Sequence, residues 1–298
     1  MILVMGEILF DVFPDARRLG GAPFNFAFHL KQLGFDVRFV SRVGKDNLGW
    51  EILDFLDAAG FDTGDIQMDT EHPTGTVNIS MHPDGGHAFS IVRNTAYDHM
   101  MNNDRIRALA RSSWRLFYTG TLIQRSRNNA AVVRDVLANR PPSARCFCDI
   151  NLRPGCYSAG TITSSLSQAD ILKVNEEELV EITGNKTRVP DVEEAVEGLM
   201  AGYGLEQVIL TKGSRGSQWF IPNRSFHSPV PENRDAIKDT VGAGDAYAAM
   251  AAAGILKGLT TEENMRLAHE FAGMICETEG AIPEDNRIYD LFKRRLES

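Results

Sequence analysis

The segment 239–250, DTVGAGDAYAAM, sets two glycines and a carboxylate where an alanine-rich helix should begin. Helix starts leave backbone N–H groups unpaired, and the helix dipole adds partial positive charge there. Glycines let such a turn close around a ligand without side-chain clashes. Together these features make an anion site suited to a phosphate. Asp245 is the discordant member, because a carboxylate repels phosphate. Its presence makes sense if it takes a proton from a hydroxyl that attacks the phosphorus. The alternative is structural, with Asp245 as a helix cap and the glycines as a tight turn. Two familiar nucleotide motifs are missing: there is no G-x-x-x-x-G-K-[ST], and G-x-G-x-x-G fails at Tyr247.

The elements that must position this turn can be read from periodicity. ILVMGEILFDV is a short, nearly continuous apolar run, the pattern of a buried strand. GGAPFNFAFHLKQLG follows as a helix, with Pro23 in its first turn and Gly34 at its stop. VRFVSRVG is a second strand, and DNLGWEILDFLDAAG a helix with Asp46 as N-cap. TGTVNISMHPDGGHAFSIV alternates polar and apolar residues around PDGG, a hairpin that looks like an inserted flap. Strand–helix alternation then resumes, with strands at WRLFYTG, ARCFCDIN, DILKVN and QVILTKG, and a strand pair at SQWFIP and SFHSPV. Helices are expected near 126–139 and 161–168, in EEELVEITG and VEEAVEGLMAGY, and over 243–257, 261–278 and 286–296. This order implies an α/β fold with a mostly parallel sheet and helices on both faces. No repeat, linker or low-complexity tract divides the chain, so residues 1–298 read as one domain carrying a small β-sheet lid.

Composition narrows the function classes. The 298 residues are 43% hydrophobic and 24% charged, ordinary globular usage, and the formal net charge is −9. Such a balance argues against nucleic acid or an anionic membrane as partner. Cys146, Cys148, Cys156 and Cys276 are too few and scattered for a disulfide framework, and read as packing residues in a reducing compartment. The N-terminus lacks a basic region and carries Glu7 and Asp11 in its apolar run, unlike a signal peptide. No apolar run reaches membrane-spanning length, so the expected location is the cytoplasm.

DTVGAGD resembles the C-terminal signature of the PfkB/ribokinase family of sugar and nucleoside kinases. Far upstream, GGAPFNFAFHLKQLG and VSRVGKDNLG resemble the family's N-terminal signature in composition and spacing. Both signatures in this order are highly specific, and the likeness covers nearly the whole chain. Met250 departs from it, standing where the pattern usually has glycine or alanine. The resemblance implies a three-layer ribokinase-like fold with lid strands at about 12–20 and 74–95. It also implies that ATP and Mg²⁺ are used, and K⁺ in some relatives.

Residue roles follow from the same likeness. Asp245 would be the base, and the amides of Gly242, Ala243 and Gly244 the anion hole. KVNEEEL resembles the N-x-x-E motif: Lys173 and Asn175 would face the nucleotide, and Asn175 and Glu178 would organise Mg²⁺ through water. An acidic helix start is the structural alternative for that motif. LTKGSRGS places Thr211, Gly213 and Gly216 near ribose and phosphates, and FAGMICETEGAIP places Ala272, Gly280 and Ala281 around adenine. Asp239 would help form a monovalent-cation site beside the anion hole. Asp11, Gly20, Gly21 and Asn25 would read the sugar hydroxyls, with Arg93 from the flap and Arg153 in DINLRPG beside them. A first-turn cap is the alternative for Asn25, and a solvated surface cation for Arg153. GEILFDVFP, PTGTVNIS, NTAYD and FCDINLRPG look nearest to the bacterial fructokinase-like branch, which implies D-fructose as acceptor. Ribose, 2-keto-3-deoxygluconate, another ketose or a nucleoside are the alternatives, and a non-catalytic sensor on the same scaffold is the rival class. In the family the lid excludes water and often forms a dimer surface, which implies a homodimer.

Overall fold

The computed structural model describes residues 1–81, 87–184, 191–229 and 237–297. Its strands are β1 (Ile2–Met5), β2 (Leu9–Val12), β3 (Arg17–Gly20), β4 (Val37–Gly44), β5 (Ile66–Asp69), β6 (Gly75–Met81), β7 (His87–Ile91), β8 (Leu116–Gly120), β9 (Arg145–Asp149), β10 (Ile171–Asn175), β11 (Gln207–Thr211), β12 (Ser217–Ile221) and β13 (Arg224–Ser228). Its α-helices are α1 (Ala22–Gln32), α2 (Asn47–Ala58), α3 (Asp104–Ala110), α4 (Arg127–Ala138), α5 (Ala159–Gln168), α6 (Glu176–Ile182), α7 (Val192–Tyr203), α8 (Ala243–Lys257), α9 (Thr261–Cys276) and α10 (Arg287–Glu297).

A nine-stranded sheet runs β13-β12-β11-β10-β9-β8-β1-β4-β5, and a separate four-stranded sheet runs β3-β2-β6-β7. The large sheet is parallel except at β11–β12 and β12–β13. Strand alternation decides its two faces. Ile2 and Val4 join one apolar cluster with residues of α1, α2, α8, α9 and α10, whereas Leu3 and Met5 join another with α3 and α4. Leu172 and Val174 continue that second face under α5, α6 and α7. On β9, Phe147 points to the first face and Cys146 and Cys148 to the second, all buried, as packing residues do.

Three expectations need correction. The run ILVMGEILFDV is two strands: β1 in the large sheet and β2 in the small one, with Gly6, Glu7 and Ile8 at the crossing. Asp11 therefore lies in the small sheet, paired in register with Arg18, and not at the end of a large-sheet strand. The small sheet accordingly begins at Leu9, earlier than the expected 12–20. Strand β5 and helix α3 add to the predicted order; both are short and lack a clean period. The PDGG turn lies outside the described residues, although β6 and β7 pair antiparallel on either side of it. Met250 lies on α8 and is fully buried in the core, a packing role that contributes about 1.5–3 kcal/mol. Among the described residues no helix is long and apolar enough to cross a membrane.

Candidate active site

The site forms where α8 begins. Its N-cap is Gly242 at φ 78° and ψ −6°, a left-handed conformation, and no side chain caps the helix. A Cβ at Gly242 would also lie 2.3 Å from the Ala281 Cβ, so glycine is required twice over. The Ala243 amide donates to the Thr240 carbonyl at 3.3 Å, and the Ala246 amide to the Gly242 carbonyl at 2.8 Å. The amides of Gly242, Gly244 and Asp245 have no acceptor among the described residues. Ala243, expected as part of the anion hole, is thus partly spent inside the turn, and the Asp245 amide joins the free set.

Asp245 stands in the first turn of α8, half-buried, and its carboxylate accepts from the Asn25 side-chain amide at 2.7 Å. The Asn25 carbonyl oxygen is buried with no partner among the described residues. Burial raises the Asp245 pKa, and the Asp149 charge adds to this; Asn25, Lys173 and Arg153 oppose it.

Three acidic groups share this corner. Asp11 stands over Gly20, its Oδ2 2.8 Å from the point a Cβ would occupy. Burial pushes Asp11 up to about 6, Arg153 opposes the shift, and Asp245 adds to it. Gly21, at φ 114°, passes so close to the Glu7 carbonyl that a Cβ would lie 2.6 Å away. Burial pushes the Glu7 carboxyl up to about 7, and its Oε2 has no partner among the described residues. Arg153 is exposed, makes no direct pair among the described residues, and favours the ionised form of Glu7, Asp11 and Asp245 alike. Arg93 sits differently. Its guanidinium donates to the Gly155 carbonyl and lines a cleft of about 370 Å³ with Arg125, Cys156 and Ser158, whose lining includes neither Asp11 nor Asp245.

On the other side of the turn, Lys173 on β10 reaches both oxygens of Asp149 at 2.9 and 3.0 Å, and both side chains are buried. Its ammonium lies 3.7 Å from the Cβ position of Gly244, directed at the start of α8. Burial alone would lower the Lys173 pKa, but Asp149 and Glu178 outweigh it and the ammonium stays charged. Asn175 and Glu178 form a reciprocal cap on α6: Asn175 Oδ1 accepts from the Glu178 amide at 2.8 Å, and Glu178 accepts from the Asn175 and Leu152 amides, each at 2.9 Å. Thr211 is the parallel register partner of Asn175; Gly213 opens the single 3₁₀ turn after it and Gly216 closes it. Asp239 accepts from the Val241 and Gly280 amides and from Arg18. Ala281 packs under Gly242, whereas Ala272 packs against the apolar cluster of α1 and α8.

Three residues beyond those expected belong to this neighbourhood: Asp149, Glu7 and Arg18. Asp149 carried a signal, being the acid that closes the apolar run of β9 in DINLR. Glu7 and Arg18 carried none, because their positions depend on the strand break and on how the two sheets meet.

Asp245 thus stands at a glycine-rich helix start that no side chain caps among the described residues, on a mostly parallel sheet flanked by helices. The chain belongs to the pfkB family of carbohydrate kinases, whose model matches residues 12–287, and it is a phosphotransferase. Among its relatives is Fructokinase-1 of Zea mays, 27% identical over 95% of this chain and 94% of that protein. Its fold is shared with an uncharacterized sugar kinase from Pyrococcus horikoshii in complex with ATP (TM-score 0.82, 23% identity, 99% of each chain). It is shared also with the fructokinase from Vibrio cholerae O395 bound to fructose, ADP and calcium ion (TM-score 0.77, 21% identity, 97% of each chain). A double mutant of the latter holds fructose, ADP and potassium ion (TM-score 0.77, 20% identity, 97% of each chain).

Proposed function

We propose that the chain transfers the γ-phosphoryl group of ATP to D-fructose, giving fructose 6-phosphate. The observation that carries this reading is the Asp245 carboxylate, held by Asn25, beside three helix-start amides that have no acceptor among the described residues. Asp245 takes the proton of the attacking hydroxyl, while the amides of Gly242, Gly244 and Asp245 receive charge developing on the phosphoryl oxygens. Lys173, directed at the start of α8 beside Gly244, adds positive charge to the turn. The free Asn25 carbonyl and the Asp11 carboxylate accept hydrogen bonds from sugar hydroxyls. Mg²⁺ would be held chiefly by phosphate oxygens and waters, since Glu178 already spends both oxygens on backbone amides; it neutralises phosphate charge when bound. Asn175 and Glu178 would hold those waters, and Thr211, Gly213, Gly216, Gly280 and Ala281 would line the nucleotide. Pairing through the small sheet's open edges would give a homodimer, which light scattering of the purified chain tests.

A second acceptor class has one observation in its favour. Arg153, exposed and unpaired among acids, suits a sugar acid such as 2-keto-3-deoxygluconate. Release of ADP, measured over a panel of sugars with and without Mg²⁺, separates the readings. Highest kcat/KM with D-fructose supports the first, and preference for the sugar acid the second. No sugar-dependent ADP from folded protein sinks both.

A further inference from the structure

Asp239 marks the place expected for a monovalent cation, and its surroundings do not fit one. Its Oδ1 accepts from the Val241 amide at 3.0 Å, and its Oδ2 accepts from the Gly280 amide at 3.1 Å and from Arg18 Nη1 at 3.3 Å. An alkali cation is held by oxygens, whereas this carboxylate already faces two N–H dipoles and a guanidinium. Arg18 is itself held from several directions. Its Nη2 pairs with Glu279, its guanidinium carbon lies 5.1 Å from the Phe13 ring centroid, and its Cδ lies against Gly280.

The position of this arginine gives it a task. The Lys238 and Asp239 amides donate to the Cys276 carbonyl at 2.9 and 3.2 Å, and Ala281 packs under Gly242. Residues 238–242 are thereby joined to residues 276–281, and the joint adjoins the amides that would receive phosphate. An uncompensated Asp239 carboxylate there, with Glu279 nearby, repels an incoming polyphosphate. A cation must neutralise it, and Arg18 delivers a fixed one from β3 of the small sheet. Its planar fork bridges two carboxylates at once, which a spherical ion does without directional hold.

We propose that Arg18 is this chain's built-in substitute for a monovalent cation: it neutralises Asp239, clamps residues 238–242 to 276–281, and makes nucleotide binding independent of potassium. The proposal rests on the nucleotide reading above.

Calorimetric titration of the full chain with ADP, in potassium chloride and in tetramethylammonium chloride at equal ionic strength, is the test. The wild type should show dissociation constants within about twofold of each other, and equal melting temperatures in the two salts. Arg18→Ala should bind ADP about tenfold more weakly in tetramethylammonium chloride and regain affinity when potassium replaces it. Arg18→Lys, which keeps the charge without the fork, should fall between. Wild-type affinity that rises saturably with potassium overturns the proposal. So does Arg18→Ala binding ADP as tightly as wild type without potassium. Wild-type protein that binds no ADP in either salt overturns the nucleotide reading and this one with it, whereas potassium-responsive binding overturns this one alone.

Discussion

The Asn25 amide meets the Asp245 carboxylate at 2.7 Å across 220 residues of sequence, tying the first helix of the chain to the helix of the phosphate turn. The contact does two things. It fixes the direction of the carboxylate, and it leaves the buried Asn25 carbonyl oxygen without a partner among the described residues. In the proposed reaction this contact would aim the base at the attacking hydroxyl.

Asp245→Asn should therefore lower kcat by about two to four powers of ten while ADP affinity changes little, because only the proton acceptor is lost. Steady-state kinetics alongside calorimetry checks this, and near-normal turnover would place the base elsewhere. Asn25→Ala should cost less, about ten- to a hundredfold in kcat/KM, because the base remains but is no longer aimed.

The buried Lys173–Asp149 pair, at 2.9 Å, makes a separate prediction. Lys173→Met removes the cation that pairs with the buried Asp149 carboxyl and leaves it only the Tyr118 hydroxyl at 3.4 Å, which costs about 3–5 kcal/mol. The double variant Lys173→Met/Asp149→Leu should recover most of that stability in urea unfolding without recovering activity. If the double variant regained turnover, Lys173 would serve stability alone.

Much of this was legible in sequence, for identifiable reasons. Parallel strands buried on both faces read as apolar runs, so β4, β8, β10 and β11 were visible, and α8 was bracketed by its turn and by Gly258. Asp245, Asn25 and Gly242 followed from the two signatures. What stayed hidden depends on where the chain leaves one sheet for another. ILVMGEILFDV is broken only by Gly6–Glu7, which a single buried strand could also carry, so its crossing between sheets at Gly6–Ile8 is not declared locally, and Asp11, Arg18 and Glu7 moved with that crossing. Asp149 and Lys173 stand in register on neighbouring strands, a pairing only tertiary structure declares.

Gly242→Ala tests the turn itself. The added Cβ meets Ala281 at 2.3 Å in a left-handed backbone, so the turn must open or shift. A loss of about 1–3 kcal/mol of stability is expected, with nucleotide affinity falling further than global stability explains. Unfolding midpoints and ADP titration report the two effects separately. An unaltered midpoint and affinity would mean the turn is not held in this conformation.

Glu7 supplies a pH prediction whose sign is fixed. Burial holds its folded-state pKa at about 7 against an ordinary 4.5, with Arg153 and Arg125 opposing the shift and Asp245 adding to it. Between those values the folded chain binds more protons at this site than the unfolded chain, so stability falls as pH rises. The contribution is fully present below about 4.5 and lost as pH passes 7. Its size is at most about 3 kcal/mol, the displacement converted at 1.36 kcal/mol per unit. Glu7→Gln carries no such charge, so its melting temperature relative to wild type should rise between pH 5 and pH 8, by about 2–4 °C for each kcal/mol involved. Parallel pH profiles for the two proteins would show that Glu7 is ionised throughout, paired with a cation that the folded chain brings to it.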